Sequence, residues 1–239
     1  MNLSSVKILI IVPALNESGN IGRTIAGIKK QNFSVDIAVI DDGSTDTTVQ
    51  EALATGVKVI SLPFNLGIGG AVQTGFQYAW QYGYDIAVQM DGDGQHEASF
   101  LGKLITPILE NQADLVIGSR FIEDDGGFKS SFTRRVGIHF FVHLINMLTG
   151  LNITDPTSGF RAHNRKVIEM FAQDYPQDFP EPEAIVVAKC LGARISETAV
   201  MMRKREGGQS SIRQLKSLYY MLKVTFAICL HTIRSPGGR

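Results

Sequence analysis

Two carboxylates stand one residue apart in the stretch V-Q-M-D-G-D-G-Q-H-E, residues 88–97, and a glycine follows each. Like charges this close repel, and glycine adds backbone entropy that folding must remove. A bound cation would offset both. Oxygen ligands select hard ions such as Mg2+, Ca2+ or Mn2+, and Mg2+ is usually held by one or two carboxylates plus substrate phosphates. Asp91 and Asp93 are therefore the first candidate metal ligands. Gly92 and Gly94 let the chain bend and a bulky ligand approach, and Gln95 offers a third oxygen. The competing explanation is an ordinary Asp-Gly turn between two elements. An EF-hand fails by spacing, because positions six and twelve counted from Asp91 are His96 and Gly102. A zinc deaminase fails for want of a cysteine pair. His96 reads as a solvent-facing residue at a helix start.

The second candidate is F-N-L-G-I-G-G-A-V-Q-T-G-F, residues 64–76. Glycines ahead of a helix suit phosphate binding at its N-terminus. The register is Gly67, Gly69 and then Val72, and the segment follows a third strand instead of a first. That disfavours a dinucleotide-binding oxidoreductase. No GxxxxGK[ST] or GxSxG occurs, which disfavours P-loop nucleotide hydrolases and serine hydrolases. Cys190 and Cys229 have no CxxC partner and read as reduced thiols.

The elements that must position these residues alternate. Apolar strands are expected at Lys7–Val12, Val35–Ile40, Val57–Leu62, Asp85–Met90 and Ala113–Gly118, with helical spacing between them. Pro13 is read as ending the first strand. The order β-α-β-α predicts an α/β fold with a mostly parallel central sheet flanked by helices. Ligands of such sheets bind beyond the carboxyl ends of the strands. Asn16-Glu17, Asp41-Asp42 and Asp91-Asp93 all lie at such ends, so they could converge. Further on, residues 123–131 and 203–211 read as mobile loops. Helices are expected at Phe132–Leu148 and Ala184–Leu191, a polar loop at Asp155–Arg161, irregular chain at 174–182 and a strand at Ile195–Met202. From Ile212 onward an amphipathic helix is expected.

The 239 residues suit one domain of about 1–211 with a C-terminal helix at 212–239. The net charge of +0 does not suggest nucleic acid. No signal peptide is read, because the N-terminus has too little positive charge and too short an apolar stretch, and no membrane span, because the apolar stretch near the C-terminus is interrupted by Lys223 and His231. The apolar faces of 136–148 and 212–233 could meet a membrane surface, a small membrane partner protein, a second copy in a homodimer or ordinary core.

Six motifs now form an ordered set: VPALNE (12–17), VIDDGSTDTT (39–48), the glycine segment, QMDGDGQ (89–95), VIGSRF (116–121) and DPTSGFR (155–161). Together they resemble the family 2 glycosyltransferases of the GT-A fold, and most of all the dolichyl- or polyprenyl-phosphate mannosyl- and glucosyltransferases. Glu183 nine residues before Gly192, E-T-A-V at 197–200, and Arg205, Gly208 and Ser210 extend the likeness. Ala199 stands where the family carries proline.

The resemblance implies a metal-dependent, inverting hexosyltransferase. Asp91, Asp93 and Gln95 would hold Mg2+ or Mn2+ on a UDP- or GDP-linked sugar. Pro13, Asn16, Glu17, Asp41, Asp42, Gly69 and Gly92 would border the nucleotide sugar, and Arg205 would close over the diphosphate. Arg120, Arg134 and Arg135 would hold an acceptor lipid phosphate, with Asp155, Ser158 and Arg161 bordering its pocket. Such an enzyme would work in the cytoplasm, peripherally at the membrane. A sugar hydroxyl of a cell-surface glycan is the alternative acceptor, with Asp155 or Glu183 as base. A non-catalytic nucleotide-sugar binder is the alternative of another class.

Overall fold

The computed structural model describes residues 6–31, 33–122, 132–178, 180–202, 221, 223–230 and 232. Strand β1 (Ile8–Ala14) is buried on both faces, as the continuous apolar run requires. It is followed by α1 (Ile21–Lys29), β2 (Asp36–Asp41), α2 (Thr48–Ala54), β3 (Lys58–Ser61), α3 (Gly67–Gln81) and β4 (Ile86–Gln89). A short 3-10 turn leads into α4 (Leu101–Leu109), and then come β5 (Leu115–Ser119) and α5 (Phe132–Thr149). The described elements end with β6 (Arg161–Asn164), α6 (Arg165–Gln173), α7 (Pro180–Cys190) and β7 (Ile195–Ala199).

The seven strands lie in the order β3-β2-β1-β4-β6-β5-β7. All pairs are parallel except those of β6, which runs antiparallel to both β4 and β5. Alternate β1 side chains feed two cores. Leu9 and Ile11 join Phe76 of α3, Phe171 of α6 and Ile185 of α7. Ile10 and Val12 join Ile25 of α1 and Leu104 of α4. Helices therefore cover both faces of the sheet.

Three expectations are corrected. Pro13 does not end β1 but lies within it, paired with Ile40. Its carbonyl accepts from Gly92 N–H at 3.3 Å. In a parallel ladder a residue's N–H points to the same side as its carbonyl, and proline has none to give. The β1–β4 register accordingly ends at Ile11↔Gln89, and the chain leaves the sheet into the Asp91 turn. Arg161 is not loop but the first residue of β6. Helix α7 begins at Pro180, inside the segment expected to be irregular.

Ile138, Phe141 and Ile145 of α5 are buried, while Val136, Phe140 and Met147 are exposed. Near the C-terminus, Val224 and Ile228 lie in the same core cluster as Phe141. That face of the tail is core. No described helix is long and apolar enough to cross a membrane.

Candidate active site

Sheet order reverses between β1 and β4: β2 and β3 succeed β1 on one side, and β4 opens the other. A crevice beyond the carboxyl ends forms at such a point. Asn16-Glu17 and Asp91-Asp93 follow the two strands that border it, and Asp41-Asp42 lies at the end of β2 on the far side of β1, so the three clusters share one edge.

The first two clusters are tied together. Asn16 takes a left-handed conformation, φ 54°, which asparagine tolerates better than most residues. Its side-chain oxygen accepts from Thr45 N–H at 2.9 Å, and its own N–H donates to Ser44 Oγ at 2.9 Å. Glu17 is buried, with its N–H donating to Thr48 Oγ1 at 2.8 Å and its carboxylate accepting from Asn20 at 2.9 Å. Asp41 accepts from Ser44 N–H at 3.1 Å and shapes the turn after β2. Asp42 accepts from Leu66 N–H at 2.7 Å and Gly67 N–H at 2.9 Å. It thereby satisfies two orphan donors at the start of α3. Burial raises the Asp42 carboxyl above its ordinary range, those two N–H groups oppose the rise, and Asp41 adds to it.

Gly69 has a reason of its own. A Cβ there would lie 2.2 Å from the Gln177 carbonyl oxygen and 2.4 Å from that of Pro176. The residue is glycine because α3 packs on that backbone. Gly92 is similarly close to β1, with a Cβ position 3.1 Å from the Pro13 oxygen.

In the Asp91–Gln95 turn, Asp93 accepts from Gln95 N–H at 3.0 Å, and Gly94 has φ +76°. The Asp91 side chain is 36% exposed. One of its oxygens lies 3.1 Å from Nε2 of His96. His96 is only 4% exposed, its ring 5.0 Å from that of Phe160. The expectation of a solvent-facing His96 is thus overturned, because the turn folds the ring inward beneath Asp91. A Cβ at Gly159 would come within 3.0 Å of the Asp91 carboxylate. Two hard oxygen donors on a bent, partly exposed turn fit a divalent cation that takes its remaining ligands from a diphosphate. Asp91 and Asp93, with Gln95 beside them, are the residues that would hold it.

The acceptor-side candidates take different positions. Arg120 and Asp155 form a buried two-pronged pair, Nε to Oδ2 at 2.6 Å and Nη2 to Oδ1 at 2.7 Å. Arg120 also donates to Thr157 at 2.7 Å. Asp155 is 0% exposed, and Glu197 of β7 accepts from its N–H at 2.9 Å. Its carboxylate is engaged by Arg120, which removes it as a general base. Arg161 is 1% exposed and donates to the carbonyls of Ser158 at 2.7 Å, Glu181 at 2.8 Å and Pro156 at 2.9 Å. It braces the 155–161 loop against α7 and does not border an open pocket. Ser158 is buried, its Oγ accepting from Phe160 N–H at 3.2 Å. Arg135 is exposed on α5. The Arg134 side chain and all of Arg205 lie outside the described residues.

Sequence reasoning missed two features, His96 under Asp91 and Glu197 under Asp155. The E-T-A-V motif pointed to Glu197 without showing what it holds. Exposed apolar side chains stand at this same sheet edge: Leu15 after β1, Leu66 and Ile68 at the start of α3, and Phe121 and Ile122 after β5.

A family model described as glycosyl transferase family 2 matches residues 9–171. An undecaprenyl-phosphate mannosyltransferase of Micrococcus luteus is 31% identical over 218 residues, spanning 87% of this chain and 88% of that protein. A UDP-N-acetylglucosamine–dolichyl-phosphate N-acetylglucosaminyltransferase of Methanococcus voltae is 31% identical over 213 residues, spanning 81% of this chain and 84% of that protein. Among solved structures, glucosyl-3-phosphoglycerate synthase from Mycobacterium tuberculosis, in complex with Mn2+, UDP and phosphoglyceric acid, has the same fold. Its TM-score is 0.73 at 22% identity, covering 96% of this chain and 79% of that one.

Proposed function

Because this chain belongs to glycosyl transferase family 2 and has the GT-A fold, we propose that it moves a hexose from a nucleotide-diphosphate sugar to a polyprenyl phosphate. The observation that carries the donor half is the Asp91–Asp93 turn at the carboxyl edge where sheet order reverses. A divalent cation held there would neutralise the negative charge that grows on the departing diphosphate. The loops of Asn16-Glu17 and Asp41-Asp42 would border the nucleoside, and the Asp42 carboxylate keeps the start of α3 beside it. Arg205 would close over the diphosphate.

Two observations favour a lipid phosphate over a sugar hydroxyl. A hydroxyl needs a positioned base, and of the two candidates Asp155 is already paired with Arg120, which leaves Glu183 alone. A phosphate oxygen is anionic and needs none. The exposed apolar rim of Leu15, Leu66, Ile68, Phe121 and Ile122 suits an acceptor delivered from a membrane surface. In this reading an acceptor phosphate oxygen bonds to the anomeric carbon. The carbon–diphosphate bond breaks with its electron pair, and the configuration inverts. The exposed Arg135 would face the acceptor phosphate together with Arg134, and the buried Arg120, paired with Asp155, would brace the loop behind them. The protein would act peripherally at the membrane that carries its acceptor.

The test is label transfer from a panel of UDP- and GDP-sugars to polyprenyl phosphate with Mn2+ or Mg2+. Label in the organic phase, reduced on the order of a hundredfold or more by Asp93→Ala, is expected. Transfer only to a glycan hydroxyl would overturn the acceptor half.

A further inference from the structure

His96 sits where a simple core residue would not be a histidine. Its ring stacks at 5.0 Å on Phe160 and is almost wholly buried, a place that phenylalanine would fill without polar atoms. Nδ1 has no hydrogen-bond partner among the described residues. A buried nitrogen left in that state carries a cost, so the other nitrogen must return something. Nε2 lies 3.1 Å from Asp91 Oδ2. An ionised carboxylate only accepts, so Nε2 carries the proton and donates.

The ring is anchored independently of Asp91. The His96 backbone forms an antiparallel bridge with Met202, just beyond β7. Gly159 packs near the same carboxylate, where a Cβ would come within 3.0 Å of Oδ2 and 3.1 Å of Oδ1. Asp91 therefore has a fixed donor at Oδ2 and a close neighbour that leaves no room for a side chain.

We infer that His96 is a positioning residue for the cation on the donor diphosphate: its Nε2–H fixes one Asp91 oxygen so that the carboxylate is oriented before metal and nucleotide arrive. The inference rests on the cation reading above. Hydrogen-bonded partners of metal ligands typically account for about 10–100-fold in metal affinity.

The experiment titrates Mn2+ into the 239-residue chain with saturating UDP, and separately GDP. Free Mn2+ is read by electron paramagnetic resonance, and the Mn2+-dependent rise in melting temperature is read in parallel. His96→Gln keeps a donor at similar reach, and His96→Met keeps the length without a donor. His96→Asn is polar but too short, and serves if the methionine variant does not fold. Gln within about threefold of the parent, with Met or Asn weaker by about 10–100-fold, is the expected pattern. Equal Mn2+ affinity in the Gln variant and in Met or Asn would leave His96 a packing residue and overturn the inference alone. A parent chain that binds Mn2+ with neither nucleotide would overturn the donor reading and this inference with it.

Discussion

Asp155 shows how one residue changes meaning when its partners are known. Its side chain is fully buried, and Arg120, itself buried, grips both oxygens. Breaking such a pair by removing one partner leaves an uncompensated charge, at about 3–5 kcal/mol. Asp155→Ala should therefore lower the denaturant midpoint strongly, and a change below about 1 kcal/mol would mean that Arg120 finds another partner. Burial pushes the Glu197 carboxyl up, while N–H and O–H donors from Asp155 and Thr154 pull it back. The result is a connected polar network of Arg120, Asp155, Thr154 and Glu197.

At the scale of elements, the start of α3 is fixed from two directions. Asp42 receives its first N–H groups, and the Pro176–Gln177 backbone lies against Gly69. Main chain cannot step aside as a flexible side chain can, so a methyl group there overpacks the joint. Gly69→Ala should cost about 1–3 kcal/mol or more, read as a lower melting temperature. An unchanged melting temperature would show that the 176–177 segment yields. The helical segment at 223–230 offers a contrast between its two faces. Ile228 is fully buried in the main core and Phe226 is 67% exposed. Truncating Ile228 to alanine should cost about 2–5 kcal/mol. Phe226→Ala should stay within about 0.5 kcal/mol. Equal effects on urea unfolding would contradict the core assignment of this helix.

For the whole molecule, His163 of β6 couples stability to pH. It packs edge-on against both Phe76 and Phe171 and meets the Ala87 carbonyl at 3.2 Å through Nδ1. Burial lowers its pKa to about 3; the Ala87 hydrogen bond opposes this, and the Arg161 charge adds to it. The folded state thus refuses a proton that the unfolded chain accepts below an ordinary value near 6.5. This contribution is complete above about pH 6.5 and falls by about 1.4 kcal/mol per pH unit down to about pH 3. Urea midpoints at pH 7 and pH 5 should differ accordingly, and His163→Phe should flatten the difference. A variant with the same slope would assign the acid sensitivity elsewhere.

How much of this was legible in advance follows from where the information lies. Continuous apolar runs such as Ile8–Val12 and Ile37–Ile40 encode buried parallel strands locally, because both faces must be covered. The alternation of strands and helices then brings the ends of β1, β2 and β4 to one edge. The Asp91–Asp93 pair was legible as a candidate site because two carboxylates, each followed by glycine, call for either a cation or a tight turn. Strand β6 was not, because a segment beginning with arginine and holding a histidine looks polar. Only the turn that brings round the carbonyls of Ser158 and Pro156, with that of Glu181 from 20 residues away, makes a buried Arg161 tolerable. Asp155 likewise read as a possible base until Arg120, 35 residues away, occupied its oxygens. His96 looked exposed because nothing near it in sequence shows that Phe160 and Met202 cover it. Local composition and periodicity determined the layers, the sheet edge and the carboxylate pair. Which polar groups face a ligand and which face one another is a matter of long-range pairing, and only the folded chain decided it.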